Sequence, residues 1–209
     1  LTDNQVLIRV CWLSLDPYMR GRMNDMKSYA DPLQIGDVIT GESAGIVIKS
    51  TSPAYAQGDT VAAHMGWQSH IVANADDPRL MRVDLNNGSL SAHLGVVGMP
   101  GRTAYFGLTE VGKPQAGETL VVAAASGAVG SAVGQIARIK GLRVVGIAGG
   151  PEKCRYVKEE LKFDACIDYK AGNLAAELAK ACPRGVDIYF ENVGGDVTKA
   201  VAPLLNAGA

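Results

Sequence analysis

The feature that most constrains the fold is a strand-like run that passes directly into closely spaced glycines and a helical pattern, over residues 119–138. Residues 120–124 are small or β-branched and predict a buried strand. Against the spacing G-x-G-x-x-G, Gly127 and Gly130 fill the second and third places, and Ala125 takes the first. The middle glycine lets the backbone approach a pyrophosphate, and the third lets the helix pack closely on the strand. The stretch predicts a phosphate-binding turn, although a turn of this kind also occurs for packing alone.

Charge and composition exclude several classes of partner. The 209 residues contain 20 Lys and Arg against 21 Asp and Glu, a formal net charge of −1, so nothing predicts nucleic acid or an anionic membrane as a partner. No apolar run is long enough to span a bilayer, and no signal-peptide pattern opens the chain. The four cysteines lie far apart without a C-x-x-C pair, which indicates neither a disulfide framework nor a zinc knuckle. We expect a cytoplasmic protein.

Both ends of the chain predict an internal fragment of a longer protein. There is no initiator Met, and a strand-like run begins almost at once, at Gln5. At the other end, a predicted helix has just ended on Gly208, where another strand is expected.

The first half predicts a small antiparallel barrel or sandwich. Residues 6–13 form an apolar, β-rich run, and Pro17 should interrupt regular structure soon after it. Shorter strand-like pieces follow at residues 38–40, 45–49, 59–63 and 69–73. Short strands separated by Gly, Pro and Asp are typical of antiparallel sheets rather than of βαβ units.

The character of the sequence changes at Ser91. Residues 91–98 predict a helix that Pro100 stops, and a second helix follows the break at residues 99–101. We place the domain boundary at this break, with a first domain over residues 1–98 and a second over residues 99–209.

Strands and helices alternate in the second half. After the strand at 120–124, strands are predicted at residues 143–148, 165–168 and 187–191, and helices at residues 129–140, 152–161, 173–181 and 196–205. This alternation predicts an α/β fold with a doubly wound parallel sheet and right-handed crossovers. The context favours a dinucleotide site at residues 119–138.

The residues after the second strand of this half favour NADPH over NADH. A site for NAD normally has a carboxylate about 20 residues after the glycines, but residues 147–150, Gly149 among them, are uncharged and Lys153 and Arg155 follow. A cation pairs with a 2′-phosphate that a carboxylate would repel. Tyr169 and Asn192 follow the next two strands, at the edge where doubly wound sheets bind ligands, and a structural role for each is equally open.

Three motifs in order, at residues 99–105, 124–130 and 191–195, resemble the medium-chain dehydrogenase/reductase superfamily. Residues 15–25, with Ser28 and Tyr29, narrow the likeness to the zinc-independent branch of prostaglandin, leukotriene and plant alkenal reductases, and within it to bacterial curcumin reductases. The resemblance covers essentially the whole chain. It implies a partial GroES-like β-barrel domain before a partial Rossmann domain, and a homodimer in the full-length protein.

The resemblance also implies roles for particular residues. Residues expected to bind NADP(H) are Met99, Thr103, Gly127, Ala128, Val129, Gly130, Ser131, Gly149, Lys153, Tyr169 and Asn192. Tyr18, His64 and Trp67 are expected to border the substrate, and no metal site is expected. Where curcumin reductases carry a tyrosine before Ser-Gly-Trp, this chain has His64 two residues before Gly66, which leaves the substrate preference open.

The expected reaction is reduction of the carbon–carbon double bond of an α,β-unsaturated ketone or aldehyde. An enolate formed in this reaction needs a hydrogen-bond donor, and Tyr18 is the candidate proton donor, although a role as pocket wall is favoured. A zinc alcohol dehydrogenase is disfavoured, because Glu42 lacks a preceding histidine and Ser14 stands where a ligand cysteine is expected. An NADPH-dependent quinone reductase and a non-catalytic NADPH-binding protein remain alternatives.

Overall fold

The computed structural model describes residues 1–27 and 30–209, and the chain divides after Met99 into two units, Leu1–Met99 and Pro100–Ala209. The Ser28 and Tyr29 motif lies outside the described residues. Within residues 1–27 and 30–209, no helix is both long and apolar enough to cross a lipid bilayer.

The first unit contains an antiparallel sheet of five strands, as its sequence predicts. The strands are β1 (Gln5–Leu13), β2 (Ser43–Ser50), β3 (Thr60–Ala63), β4 (His70–Asn74) and β5 (Met81–Arg82), in the spatial order β4-β1-β2-β3-β5. Alternate residues of β1, Val6 and Ile8, are fully buried and pack with Val47 and Val61 from the neighbouring strands. Successive side chains of a strand point to opposite faces of the sheet, so Val6 and Ile8 lie on the same face of β1, and this face forms the core.

Four predictions for the first half of the chain are wrong in detail. Pro17 begins a helix, α1 (Pro17–Arg22), because the first turn of a helix does not need the N–H that proline lacks. For the same reason Pro100 does not lie in a break between two helices, as predicted, but is the second residue of α2 (Met99–Phe106). Residues 38–40 form no strand, and the backbone bond that they make to the described part of the chain is an isolated one, from Trp67 N to Ile39 O, 2.9 Å long. The helix predicted at residues 91–98 is a short 3-10 turn, Leu90–Leu94.

The second unit is an α/β layer structure around a parallel sheet. Its strands are β6 (Thr119–Val122), β7 (Arg143–Ala148), β8 (Ala165–Asp168) and β9 (Ile188–Phe190), in the order β8-β7-β6-β9. Its helices are α3 (Ala128–Ile139), α4 (Pro151–Glu159), α5 (Leu174–Ala181) and α6 (Asp196–Val201), and a π-helical turn, Gly107–Gly112, precedes the sheet.

Helices cover both faces of this sheet. Val122 packs in one apolar cluster with Val133 of α3, whereas the adjacent Val121 packs in another with Leu178 of α5 and Val201 of α6. Strands buried on both faces read as continuous apolar runs. The fold is therefore a doubly wound parallel sheet preceded by an antiparallel unit, as the sequence predicts.

The strand order reverses direction at β6, because β7 lies on one side of it and β9 on the other. In open α/β sheets, ligands bind at the carboxyl ends of the strands beside such a switch point. The loops after β6, β7, β8 and β9 are therefore where a ligand site is expected.

Candidate functional site

The turn after β6 brings helix α3 unusually close to the strand. Ala124 adopts a left-handed conformation, with φ of 50°, and its carbonyl accepts a 2.8 Å hydrogen bond from Gly127 N. A Cβ on Gly130 would stand 2.4 Å from that carbonyl oxygen, so only glycine fits there. Helix α3 begins at Ala128, and the amides of a first helical turn have no partner within the helix. This arrangement suits a bound phosphate.

Ala125 stands where the dinucleotide pattern has its first glycine. Its N–H donates to Ile147 O at 3.0 Å, and its side chain is fully buried. The methyl group lies over Gly146, since a Cβ on Gly146 would come within 2.7 Å of it. The glycine of the neighbouring strand thus makes room for Ala125, and the departure from the pattern leaves the turn open.

The ends of β7 and β8 form the next part of the site. Gly149 follows β7 and lies against the ring of Tyr169, which follows β8. Gly150, with φ of 95°, is the residue before helix α4, and Lys153 is exposed in the first turn of that helix. The two strand ends therefore present a lysine and a tyrosine side by side.

These loops surround a cavity of about 240 Å³ at the carboxyl edge of the sheet. Its lining comes from the loops after β6, β7, β8 and β9: Ala124, Ser126, Gly127, Ile147, Ala148, Gly149, Lys153, Tyr169, Lys170, Val193 and Val197. Two lysines and no carboxylate occur among these described residues. The charge of the lining favours an anionic ligand.

Glu191 organises the loop after β9. Its Oε2 accepts hydrogen bonds from the hydroxyls of Tyr189, at 2.5 Å, and Thr198, and its Oε1 accepts the N–H groups of Val193 and Gly194. Burial alone would raise the pKa of Glu191, but these four donors together lower it to about 2. An ionised carboxylate therefore fixes the segment that carries Val193 into the cavity lining.

Asn192 ties the same loop to the end of β6, because its Nδ2 donates to Ala123 O at 3.0 Å. Burial and the nearby carboxylate of Glu191 raise the pKa of the Tyr189 phenol, so Tyr189 remains a neutral donor.

The structure brings four of the predicted cofactor residues to one cavity, Gly127, Gly149, Lys153 and Tyr169. Ala128, Val129, Gly130 and Ser131 form the first turn of α3 rather than the lining. Asn192 lies beside the lining residue Val193. Met99 and Thr103 lie in α2, half-buried and exposed respectively.

Sequence reasoning missed Ser126, Lys170 and Val193 as lining residues. A signal existed for each, because Ser126 lies inside the glycine turn and the other two directly follow the predicted Tyr169 and Asn192.

The three residues predicted to border the substrate all lie in the first unit. Tyr18 is half-buried in α1, and the next residue, Met19, packs with Trp67 around Gly41, where an added Cβ would come within 2.5 Å of Met19 Cε. Trp67 lines a cleft with Trp12, whereas His64 lines a separate one and shares a 2.5 Å hydrogen bond with Thr40. Met19 of α1 and Trp67 both lie next to Gly41, and the preceding residue, Thr40, makes the hydrogen bond to His64.

A metal centre has no ligand set in the described part of the chain. Across residues 1–27 and 30–209, no group of three or more His, Cys, Asp or Glu side chains is arranged to hold a metal ion.

Two family models match the chain. Residues 1–83 match the N-terminal domain of oxidoreductase, and residues 128–209 match zinc-binding dehydrogenase. Together they cover part of each of the two units described above.

Curated relatives and a solved structure match nearly the whole chain. It is 54% identical over 207 residues to NADPH-dependent curcumin reductase of Escherichia coli, covering 99% of this chain and 59% of that protein. It is 43% identical over 203 residues to mouse prostaglandin reductase 1, covering 96% of this chain and 59% of that protein. The crystal structure of CurA from Vibrio vulnificus in complex with NADPH is 51% identical, with a TM-score of 0.93, covering 100% of this chain and 61% of that one.

The chain thus spans about three fifths of the length of the relatives it matches. The glycine turn and the doubly wound sheet lie in the second unit, and the relatives match both units. The chain belongs to the medium-chain dehydrogenase/reductase superfamily, in the branch of the curcumin and prostaglandin reductases.

Proposed function

We propose that the protein is an NADPH-dependent oxidoreductase that reduces the carbon–carbon double bond of α,β-unsaturated ketones and aldehydes. The observation that carries this proposal is the 54% identity to an NADPH-dependent curcumin reductase over 99% of the chain. The local geometry supports a nucleotide ligand, because the cavity combines a glycine turn, a helix start and two lysines.

The residues of the second unit fit the cofactor. Gly130 leaves the backbone of the β6–α3 turn accessible, and the amides from Ala128 to Gly130 would hold the pyrophosphate. Lys153 would pair with the 2′-phosphate, since a lysine ammonium binds phosphate as a point charge. Tyr169 and Gly149 would border the adenosine, and Asn192, Met99 and Thr103 would contact the remainder.

In the proposed reaction the bound cofactor supplies a hydride to the β-carbon of the substrate. This chain's own residues bind and orient the reactants. Tyr18, His64 and Trp67 would form part of the substrate wall, and the Tyr18 hydroxyl is the candidate to hydrogen-bond the carbonyl oxygen and return a proton to the enolate.

Three further features belong to the same proposal. The reaction needs no zinc, the full-length protein is a homodimer, and it acts in the cytoplasm. Metal analysis that finds stoichiometric zinc in the purified protein would contradict the first of these, and a monomer by sedimentation would contradict the second.

The test uses the full-length protein with NADPH and three kinds of acceptor: α,β-unsaturated ketones, their saturated counterparts, and quinones. We expect NADPH oxidation with the unsaturated ketones and none with the saturated ones. Turnover with quinones alone would indicate a quinone reductase. Binding of NADPH without turnover of any acceptor would indicate a non-catalytic protein.

A further inference from the structure

The cavity at the carboxyl edge of the parallel sheet, called the nucleotide cavity below, takes its positive charge and its aromatic wall from two separate loops. The β7–α4 loop carries Gly149 and Lys153, and the segment after β8 carries Tyr169 and Lys170. Ala148 and Asp168 are the last paired residues of the two strands. Beyond this pair the strand ladder no longer holds the two loops together.

Asp168 bridges the two loops with a single carboxylate oxygen. Its Oδ1 accepts the N–H of Gly150 at 2.8 Å and the N–H of Lys170 at 3.0 Å. Both bonds lower the pKa of the Asp168 carboxyl, and the bond from Gly150 has the larger effect. Hydrogen bonds to an ionised group are stronger than those between neutral groups, so the bridge suits a carboxylate.

The bond from Gly150 to Asp168 ties the β7–α4 loop to the end of β8. Gly150 has a positive φ of 95° and caps α4 without a side-chain hydrogen bond. Lys153 follows three residues later in an exposed first turn. A loop that lacks a side-chain cap takes its position from the bonds that its backbone makes elsewhere, and the bond to Asp168 is one that ties it to β8.

We propose that Asp168 is a positioning residue for the 2′-phosphate subsite: by joining Gly150 N to Lys170 N, it holds Lys153 and Lys170 on one cavity. This inference rests on the proposed function, since it presumes that the cavity binds NADPH. Asp168 is not among the residues that line the cavity, and its carboxylate accepts hydrogen bonds from two backbone N–H groups.

Two substitutions at this position separate positioning from charge. Asp168→Ala removes both bonds, whereas Asp168→Asn keeps an oxygen that accepts two N–H donors. We expect Asp168→Ala to weaken NADPH binding roughly tenfold while NADH binding changes less than about twofold. We expect Asp168→Asn to keep the NADPH affinity within about threefold of the unchanged protein. Dissociation constants come from the fluorescence of the bound dihydronicotinamide in the full-length protein.

Several outcomes decide the inference. An equal loss of NADPH and NADH affinity in Asp168→Ala would overturn it, because that pattern indicates general disruption. An unchanged NADPH preference in Asp168→Ala, or a tenfold loss in Asp168→Asn, would overturn it as well. If the unchanged protein binds NADPH and NADH equally, the proposed preference for NADPH is wrong. The inference about Asp168 is then wrong too, because it presumes a subsite for the 2′-phosphate.

A second variant covers the case in which Asp168→Ala does not fold. Asp168→Ser keeps a polar side chain that is too short to reach both N–H groups, and its melting temperature shows whether it folds. A folded Asp168→Ser variant with selective loss of NADPH affinity would support the inference. A folded variant with unchanged NADPH preference would overturn it.

Discussion

The ring of Tyr169 lies against the backbone of Gly149, so closely that a Cβ on Gly149 would stand 2.8 Å from Tyr169 Cε1 and 3.0 Å from its hydroxyl oxygen. Both residues line the cavity at the carboxyl edge of the parallel sheet, where we propose that NADPH binds. The absence of a side chain at residue 149 is therefore what lets the tyrosine form that wall.

Replacing Gly149 by alanine should displace this wall. Tyr169 is 46% exposed, so its ring can turn towards solvent, and we expect the free energy of unfolding to change by less than about 0.5 kcal/mol. NADPH affinity should fall by about threefold or more. Gly21→Ala is the control, since a Cβ there meets no atom within 4 Å. Unchanged NADPH affinity in Gly149→Ala would show that the ring does not contribute.

Gly134→Ala should reduce stability, in contrast to Gly149→Ala. An added Cβ would lie 1.9 Å from Phe163 Cζ, and Phe163 is 4% exposed, so the ring cannot move into solvent. Overpacking costs roughly 1–3 kcal/mol and the gain in helix propensity returns about 1 kcal/mol, so the net loss is about 0–2 kcal/mol, and about 1–3 kcal/mol relative to Gly21→Ala, which has the propensity gain alone. Urea unfolding against the same Gly21→Ala control measures it. A Gly134→Ala variant as stable as the Gly21→Ala variant would contradict the packing described for α3.

Lys153→Ala should remove much of the preference for NADPH. Lys153 lines the cavity, whereas Lys158 of the same helix does not, so Lys158→Ala is a matched control with the same loss of charge. We expect about tenfold weaker binding of NADPH by Lys153→Ala and little change for NADH. Titration of both variants with both cofactors is the measurement. Equal effects of the two substitutions would mean that only the net charge matters.

Glu191→Gln should destabilise the protein in a pH-dependent way. The folded-state pKa of Glu191 is lowered from the usual 4.5 to about 2, so its contribution to stability is fully present above about pH 4.5 and is lost as the pH falls towards 2. The unchanged protein should be more stable than Glu191→Gln at pH 7. The difference in the free energy of unfolding should narrow between pH 4.5 and pH 3. A difference independent of pH would contradict this role.

The regular part of the second unit was predictable from sequence, because its pattern depends on local hydrophobic periodicity. β7 and β8 have the predicted bounds, and β6 differs because Ala124 turns into the left-handed region. Two of the errors in the first half of the chain concern Pro17 and Pro100. A proline in the sequence shows where a backbone N–H is missing. It does not show whether that residue interrupts a helix or lies in its first turn, where the N–H is not needed.

The candidate site was predictable where one residue follows a recognisable strand end. Gly127, Lys153 and Tyr169 meet this condition and reach the cavity. The bridge made by Asp168 was not predictable, because it depends on the distance between two loops that only the sheet register sets. The accommodation of Ala125 also depends on Gly146 in a neighbouring strand, which the pattern of one turn does not include.

The proposed function requires hydride transfer from NADPH to the β-carbon of an enone. The most direct measurement uses the full-length protein with NADPH deuterated at the reactive carbon of the nicotinamide and an α,β-unsaturated ketone, followed by NMR of the product. The account predicts a saturated ketone with deuterium on the β-carbon. Deuterium on the carbonyl carbon of an unsaturated alcohol, or no transfer of label to any enone, would contradict it.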